Sequence, residues 1–291
     1  MSPTIKSVLI KDKEYPRLLK EVSGAPSKIY YLGKLPKEDE VLISIVGTRK
    51  ASREGIDTAK SLARDLAQKG ITIVSGLALG IDAAAHEGAL LGNGKTIAVL
   101  GNGVKEVYPR RHFGLAQQML KTNGCLLSER QETGNYYDAL FLERNRIISG
   151  LSLGVIIIEA SIDSGSLSTA RHALNQGREV LVVPGPANHP NYKGSHMLLR
   201  DGARLITSAE DVIEDLGLGE FKTVAKNDYS VISNKEQLLI LSAMQNTKEP
   251  LDVDSISEIT KLEPYIVNRN LTFLTIEGLL EEKNGKFLSK S

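Results

Sequence analysis

The stretch from Val41 to Asp82, VLISIVGTRKASREGIDTAKSLARDLAQKGITIVSGLALGID, most constrains what this chain can fold into. An apolar run, Val41 to Val46, breaks at Gly47-Thr48-Arg49. A helix is expected from about Ser52 to Lys69. A second apolar run, Ile71 to Ser75, then breaks at Gly76-Leu77-Ala78-Leu79-Gly80 into another helix. Strand, turn and helix are stated twice, with small residues at both strand ends. In open α/β sheets ligands bind where strands end and helices begin. The unpaired amides of a helix N-terminus favour anions there, phosphate above all. The segment therefore predicts two adjacent phosphate cradles.

The same rhythm continues downstream. Strands are expected at Thr96–Leu100, Cys125–Ser128, Gly154–Glu159 and Glu179–Val183, with a weaker one at Arg204–Ile206. Helices are expected between them at Ile81–Leu91, Phe113–Thr122, through Phe141–Ser149, and at Ser166–Gln176. The strands are near-continuous Val, Ile and Leu rather than alternating, as strands covered on both faces should be. Helical crossovers between them are right-handed. The expected fold is α/β, a doubly wound, mostly parallel sheet spanning residues 41–218. Residues 1–40 show no clear sheet element and are read as an N-terminal extension packing on the large domain. Residues 219–233 have turn character without periodicity and read as a linker. In residues 234–291, three short helices (Lys235–Met244, Val253–Thr260, Tyr265–Gly278) precede a hairpin signal at Asn284-Gly285. That order suggests a small winged-helix domain.

Several side chains sit where a polyanion could be held. Arg49 places a planar, permanently charged fork beside the first strand-end turn, suited to phosphate oxygens; an arginine on a solvated helix face is the plain alternative. Ser75 and Gly76 offer a hydroxyl and close backbone approach, with Leu77, Ala78 and Gly80 completing that turn. Asp82 reads as a helix cap rather than a catalytic acid. Arg110 and Arg111 follow Tyr108-Pro109 on the loop after the third strand. Phe141, Arg144, Asn145 and Arg146 bring an aromatic, two cations and an amide together, the combination that single-strand binding needs. A core contact is the alternative for Phe141. Ser164, Gly165, Ser166 and Thr169 form a hydroxyl-rich helix start at another strand end, apt for a phosphate or merely a turn.

Other chemistries fit poorly. His86-Glu87 lacks the second histidine of H-E-x-x-H, so no metal is expected. Gly101-Asn-Gly103 meets Glu106 where the dinucleotide fingerprint needs glycine. Gly94-Lys95-Thr96 has Ala89 where a P-loop needs glycine, and it precedes a strand. No cofactor is expected. Among 291 residues the lone cysteine, Cys125, lies in an apolar strand and reads as a buried structural thiol. No apolar run approaches the ~20 residues that cross a bilayer, and the first 20 residues carry no signal core. A cytoplasmic location without membrane contact is expected. Net charge is +1. Residues 234–291 carry −2 and residues 1–218 carry +3, so a nucleic acid would favour the large domain.

In order along the chain, IVGTR, IVSGLALGIDAAAH, TIAVLGNGVKEVYPRRH, LLSE, FLERNRIISGLS, VIIIEASIDSGSLSTARHA, GREVLVVPG and LLRDGARLI resemble the DNA-processing protein A (DprA/Smf) family. The resemblance covers roughly residues 15–210, and the C-terminal module is similar to the winged helix of many members. One departure is His196, where members usually carry Asn. The resemblance implies a Rossmann-like domain that dimerises, binds single-stranded DNA of any sequence without catalysis, and hands it to the RecA recombinase in natural transformation. It places the DNA phosphates on Arg49 and the Ser75-Gly76 turn, helped by Arg110 or Arg111 and by Phe141 to Arg146. The rival is a nucleotide-binding or nucleotide-cleaving Rossmann-like enzyme of the Lonely Guy type. The P-G-G-x-G-T-x-x-E pattern of those enzymes is replaced here by Pro184-Gly185-Pro186, which lacks both the glycine pair and the acid.

Overall fold

The computed structural model describes residues 4–132, 138–219, 235–247, 250–276, 280–283 and 285–289. The chain falls into two compact units, Met1–Val224 and Ala225–Ser291. The first unit begins with β1 (Lys6–Leu9), α1 (Arg17–Lys20) and β2 (Lys28–Gly33). Then come β3 (Leu42–Val46), α2 (Arg53–Gln68), β4 (Thr72–Ser75), α3 (Ile81–Leu91), β5 (Thr96–Val99), α4 (Phe113–Lys121) and β6 (Cys125–Ser128). The unit closes with α5 (Asp138–Gly150), β7 (Gly154–Ile157), α6 (Ser166–Asn175), β8 (Glu179–Val182), α7 (Lys193–Arg200), β9 (Arg204–Leu205) and α8 (Ala209–Asp215).

The strands form one sheet in the order β1-β2-β6-β5-β4-β3-β7-β8-β9. From β6 to β9 every pairing is parallel. The fold is the expected doubly wound α/β sheet. Every residue of β3 to β7 is buried, which is why these runs do not alternate. Along β3, Leu42 and Val46 enter one core cluster, with residues of α5 and α6. Ile43 and Ile45 enter the opposite one, with residues of α2 and α3. Between them, the Ser44 hydroxyl is satisfied by Ile148 O at 3.0 Å and Ser152 Oγ at 2.7 Å.

The strand order carries the functional geometry. The chain winds from β3 outward through β4, β5 and β6, then returns to the other side of β3 as β7, β8 and β9. The loops leaving β3 and β7 therefore diverge, and a crevice opens between them, the topological switch point at which such sheets bind ligands.

Two expectations need correction. Residues 1–40 do hold sheet elements: β2 pairs antiparallel with β6, Tyr30 opposite Ser128 and Gly33 opposite Cys125, and β1 pairs with β2. The Ile29-Tyr30-Tyr31-Leu32 run has strand propensity, but its partner is about a hundred residues away, so no local pattern announces it. Asp82 does not cap its own helix. Gly80 is the N-cap of α3, and Asp82 Oδ2 accepts from Gly76 N at 3.1 Å and Ala78 N at 3.4 Å, in the turn before. Helices α7 and α8 also went unforeseen. For α8 a signal was present: Ser208 and Asp211 form a capping box, with Asp211 N donating to Ser208 Oγ at 3.1 Å.

The second unit contains α9 (Lys235–Thr247), α10 (Val253–Thr260), α11 (Pro264–Ile276), then antiparallel β10 (Leu280–Lys283) and β11 (Lys286–Ser289). Ile240, Leu241, Ile256, Val267, Leu271 and Phe287 are among its core. Asp252 caps α10 by accepting from Ser255 N at 2.9 Å. Gly285 has φ +74° at the hairpin, while Asn284 and, except for Gly219, the expected linker lie outside the described residues.

Candidate functional site

The crevice between the β3 and β7 loops is a cleft of about 420 Å³. Its floor is built first from backbone. Thr48 N donates to Glu159 O at 2.8 Å, and Ile81 N donates to Thr48 O at 3.3 Å, so the β3 turn is pinned between β7 and α3. Close packing forces the glycines. A Cβ on Gly47 would lie 2.6 Å from Ile81 Cγ1; one on Gly80, at φ +76°, would lie 2.4 Å from Thr48 O. The Glu159 carboxylate, wholly buried, accepts from Ser52 N at 3.0 Å, from Ser52 Oγ, and from Asn191 Nδ2 at 2.8 Å. Asn191 Nδ2 also donates to Lys50 O at 2.9 Å. Ser52 Oγ caps α2, accepting from Gly55 N at 3.0 Å. The loop carrying Thr48, Arg49 and Lys50 is thus rigid before any ligand arrives.

On this frame Arg49 stands exposed, its guanidinium 5.4 Å from the centroid of Phe141 on α5. Lys50 joins it at the cleft. Across the opening, Ser164, Gly165, Ser166 and Thr169 line the wall at the start of α6, and Ser164 Oγ meets Ser166 Oγ at 2.7 Å. Asn145, on α5, reaches over to Gly165 O at 3.1 Å and ties that wall to the aromatic side. Gly47, Thr48 and Ala78 complete the lining among the expected residues. Two backbone turns, the exposed cations Arg49 and Lys50, and the hydroxyl residues Thr48, Ser161, Ser164, Ser166 and Thr169 converge on a space suited to a phosphate backbone. One exposed carboxylate, Asp163, sits at the same cleft and sets a limit on how much negative charge it can take.

The second expected cradle is different from its forecast. Ser75 is fully buried and its hydroxyl donates to Ile45 O at 2.6 Å. The Gly76 amide is consumed by Asp82, and Leu77 is buried in the α4 core cluster. Arg144 fills the space behind: it donates to Gly76 O at 2.8 Å and to Val99 O, and a Cβ on Gly76 would lie 2.5 Å from its guanidinium. Arg144 lines the cleft but is buried, so its charge stiffens the β4 turn instead of projecting toward solvent. Burial pushes the Arg144 guanidinium down to about 10, against the opposing pull of Asp82; it remains charged at neutral pH. Burial pushes Asp82 above the usual carboxylate range, while Arg144 and the Ala78 and Gly76 amides pull it back. The β4 turn is a buttress.

Three arginines lie apart. Arg110 and Arg111 are exposed on the turn after β5 and do not line the cleft, with Arg110 paired to Glu106 at 3.4 Å. Arg146 points to the N-terminal segment, donating to Gly24 O at 2.6 Å and to Glu129 at 2.5 Å. Sequence reasoning missed Lys50, Glu159 and Asn191. Lys50 was adjacent to Arg49 and recoverable; the other two act across loops that only the fold brings together. His196 stacks on Tyr192 at 6.1 Å and its Nε2 lies 3.2 Å from Gly185 O, a contact within the β8–α7 connection. His86 is buried with Nδ1 2.6 Å from Thr96 Oγ1, and burial pushes it down to about 3. Because the Thr96 hydroxyl donates to Ile73 O at 2.8 Å, His86 Nδ1 must carry the proton. Among the described residues no group of three His, Cys, Asp or Glu could hold a metal ion, and no helix is long and apolar enough to cross a membrane. Cys125 is buried, its thiol pushed up to about 12 by desolvation.

Known proteins share this architecture. The family model of DNA recombination-mediator protein A matches residues 6–217, more than half of the chain. Protein Smf of Escherichia coli is 44% identical over 205 residues, covering 70% of this chain but only 55% of that protein. DNA processing protein DprA of Bacillus subtilis is 40% identical over 213 residues, 73% of this chain and 71% of its own. The solved structure of Streptococcus pneumoniae DprA aligns with a TM-score of 0.68 at 38% identity, covering 73% of this chain and 74% of the other. That of Helicobacter pylori DNA processing protein A, described for its mode of binding single-stranded DNA, aligns at 0.66 with 30% identity, covering 75% and 97%. The chain belongs to the DNA recombination-mediator protein A (DprA/Smf) family.

Proposed function

We propose that the β3–β7 cleft binds single-stranded DNA through its phosphates, independently of sequence, and that the protein works as a non-catalytic mediator. The observation that carries this reading is Arg49: an exposed guanidinium on a loop fixed by Glu159 and Asn191, beside an aromatic ring at the mouth of an amide- and hydroxyl-lined cleft. Phosphate contacts position a nucleic acid without reading it. A track of cations with aromatic faces suits a single strand, and the description of the H. pylori relative agrees. Arg110 and Arg111, outside the cleft, would extend the track along the rim. By family membership the bound strand would pass to a RecA recombinase in transformation, and pairing of two copies into a homodimer would lengthen the track. The second unit, with its −2 balance, suits a protein contact or a regulatory lid better than DNA. Of the carboxylates at the cleft among the described residues, Asp82 is occupied by the Gly76 and Ala78 amides, and Asp163 is exposed on the loop before α6, away in sequence from Pro184-Gly185-Pro186, where a nucleotide-cleaving enzyme would carry its acid.

The test is fluorescence anisotropy of labelled single strands and equal-length duplexes across a salt series. A clear preference for the single strand, with affinity falling as salt rises, is expected. Equal affinity for both forms, or none, overturns the reading and turns attention to a small nucleotide ligand.

A further inference from the structure

A cleft meant for phosphate alone would gain nothing from a carboxylate, yet Asp163 lines this one. It is exposed and makes no hydrogen bond or ion pair among the described residues, so the charges of Arg49 and Lys50 do not neutralise it. Its position is fixed all the same. Ile162 and Asp163 form the tip of a turn closed by Ser164 N, which donates to Ser161 O at 3.0 Å. The base of that turn is anchored at Ala160, whose O accepts from Gly194 N at 2.8 Å and whose N donates to Ser195 Oγ at 3.0 Å. Beside the carboxylate the cleft is apolar. Leu142 of α5 lines it at 46% exposure, and Ile162, next to Asp163 in the chain, is 56% exposed. A Cβ on Gly165 would lie 3.8 Å from Leu142 Cδ2, so the Leu142 side chain reaches the start of α6, where Asp163 stands. The cleft thus has two unlike ends, cations on the β3 loop and an apolar shelf with a fixed hydrogen-bond acceptor on the β7–α6 loop. A nucleotide has the same two ends: a phosphate that only accepts, and an apolar-faced base whose edge can donate.

We propose that the cleft takes in one whole nucleotide of the bound strand, its phosphate toward Arg49 and Lys50 and its base on the Leu142 shelf, and that Asp163 makes guanine the preferred base there. The volume of about 420 Å³ is within the range of small-molecule sites. The choice of base follows from donors and acceptors. An ionised carboxylate only accepts, through two oxygens side by side. Guanine alone sets two donors side by side, N1–H and the N2 amino group. In adenine and cytosine the amino group is flanked by an acceptor ring nitrogen, and the single N–H of thymine lies between two carbonyls. The proposal rests on the single-strand reading above: phosphate contacts still read no sequence, and Asp163 adds a preference at one position.

The test compares two labelled strands of equal length, one alternating thymidine with deoxyguanosine and the other thymidine with deoxyinosine, in lithium buffer to avoid guanine quartets. Inosine keeps N1–H and lacks only the N2 amino group, so backbone and charge are the same. The parent protein should bind the guanine strand roughly fivefold more tightly. Asp163→Asn, a change at an exposed side chain that bonds to nothing in the fold, should bring the two affinities within about twofold of each other. Leu142→Ala should weaken both strands by roughly threefold and preserve their ratio, since the shelf carries either base. Equal parental affinity for the two strands overturns the assignment. So does a guanine preference that survives Asp163→Asn, or an Asp163→Asn gain by the same factor on both strands, which would make the carboxylate a mere repeller of phosphate. Leu142→Ala with parental affinity for both strands overturns the shelf and the assignment with it. If Arg49→Ala still weakens binding in any of these cases, the single-strand reading survives alone. If the parent protein binds neither strand, both readings fall.

Discussion

Replacing Arg144 with Met isolates the buttress beneath the cleft. The substitution keeps the length of the side chain and removes a buried guanidinium that donates to Gly76 O and Val99 O and opposes the charge of Asp82. Breaking a buried charge pair from one side costs about 3–5 kcal/mol, because the remaining charge is left uncompensated. The penalty should depend on pH, and its sign follows from Asp82. Burial already raises the Asp82 pKa in the folded protein, with Arg144 restraining it; without Arg144 it rises further. A carboxyl whose folded pKa exceeds its unfolded value contributes stability at low pH that is lost as pH climbs through the folded pKa. The Arg144→Met deficit should therefore be largest near pH 7.5 and shrink toward pH 5, by at most about 1.4 kcal/mol per pH unit. Adding Asp82→Asn, which keeps a carbonyl acceptor for the Gly76 and Ala78 amides, should recover part of the loss and flatten the pH dependence. Denaturant unfolding followed by circular dichroism at several pH values measures both. A deficit below about 1 kcal/mol, or one identical at pH 5 and 7.5, would refute the buried Asp82–Arg144 coupling.

Three further outcomes follow from the packing. Gly80→Ala forces a side chain into φ +76° with its Cβ 2.4 Å from Thr48 O, and should cost at least about 2 kcal/mol in unfolding free energy; a neutral effect would mean the β3 and β4 turns are not in contact. Arg146→Ala removes the bonds to Gly24 O and Glu129, so thermal unfolding should show a loss of about 1–2 kcal/mol while strand affinity stays within twofold; a large affinity loss would put Arg146 back in the site. Cys125, buried with its thiol near 12, should resist a thiol reagent at pH 8 until the protein unfolds, whereas fast native labelling would contradict its place in β6.

The parallel sheet was legible in the sequence because its strands are short Val/Ile/Leu runs separated by helices, a pattern that buried crossover strands impose on their own residues. Strand β2 was not, since its place depends on an antiparallel partner, β6, that nothing near Lys28–Gly33 encodes. The candidate site divides in the same way. Gly47, Thr48, Arg49 and the Ser164–Ser166 turn are read from strand ends and prove to line one cleft. Ser75, Gly76 and Arg144 carry equally good local signals, yet their polar groups are used up by Ile45, Asp82, Gly76 and Val99, partners that only the tertiary structure supplies. Arg146 shares a helix with Phe141 but not a face, because five residues of helix carry it past the cleft side. Glu159 and Asn191 hold the Arg49 loop from other strand ends, and spacing in sequence carries no trace of that.

The central claim is that Arg49 holds a phosphate of single-stranded DNA at the β3–β7 cleft. Its most direct measurement is the affinity of Arg49→Ala for a labelled single strand as a function of salt. Arg49 is exposed and its cation–π contact with Phe141 is worth ~0.5–1 kcal/mol, so the variant should fold. Losing one charged hydrogen bond of about 1.5–3 kcal/mol should weaken binding ~10- to 100-fold. The slope of log affinity against log salt should become shallower by about 0.7, the value for one single-strand phosphate contact. A folded Arg49→Ala protein with parental affinity and an unchanged salt slope would contradict the account.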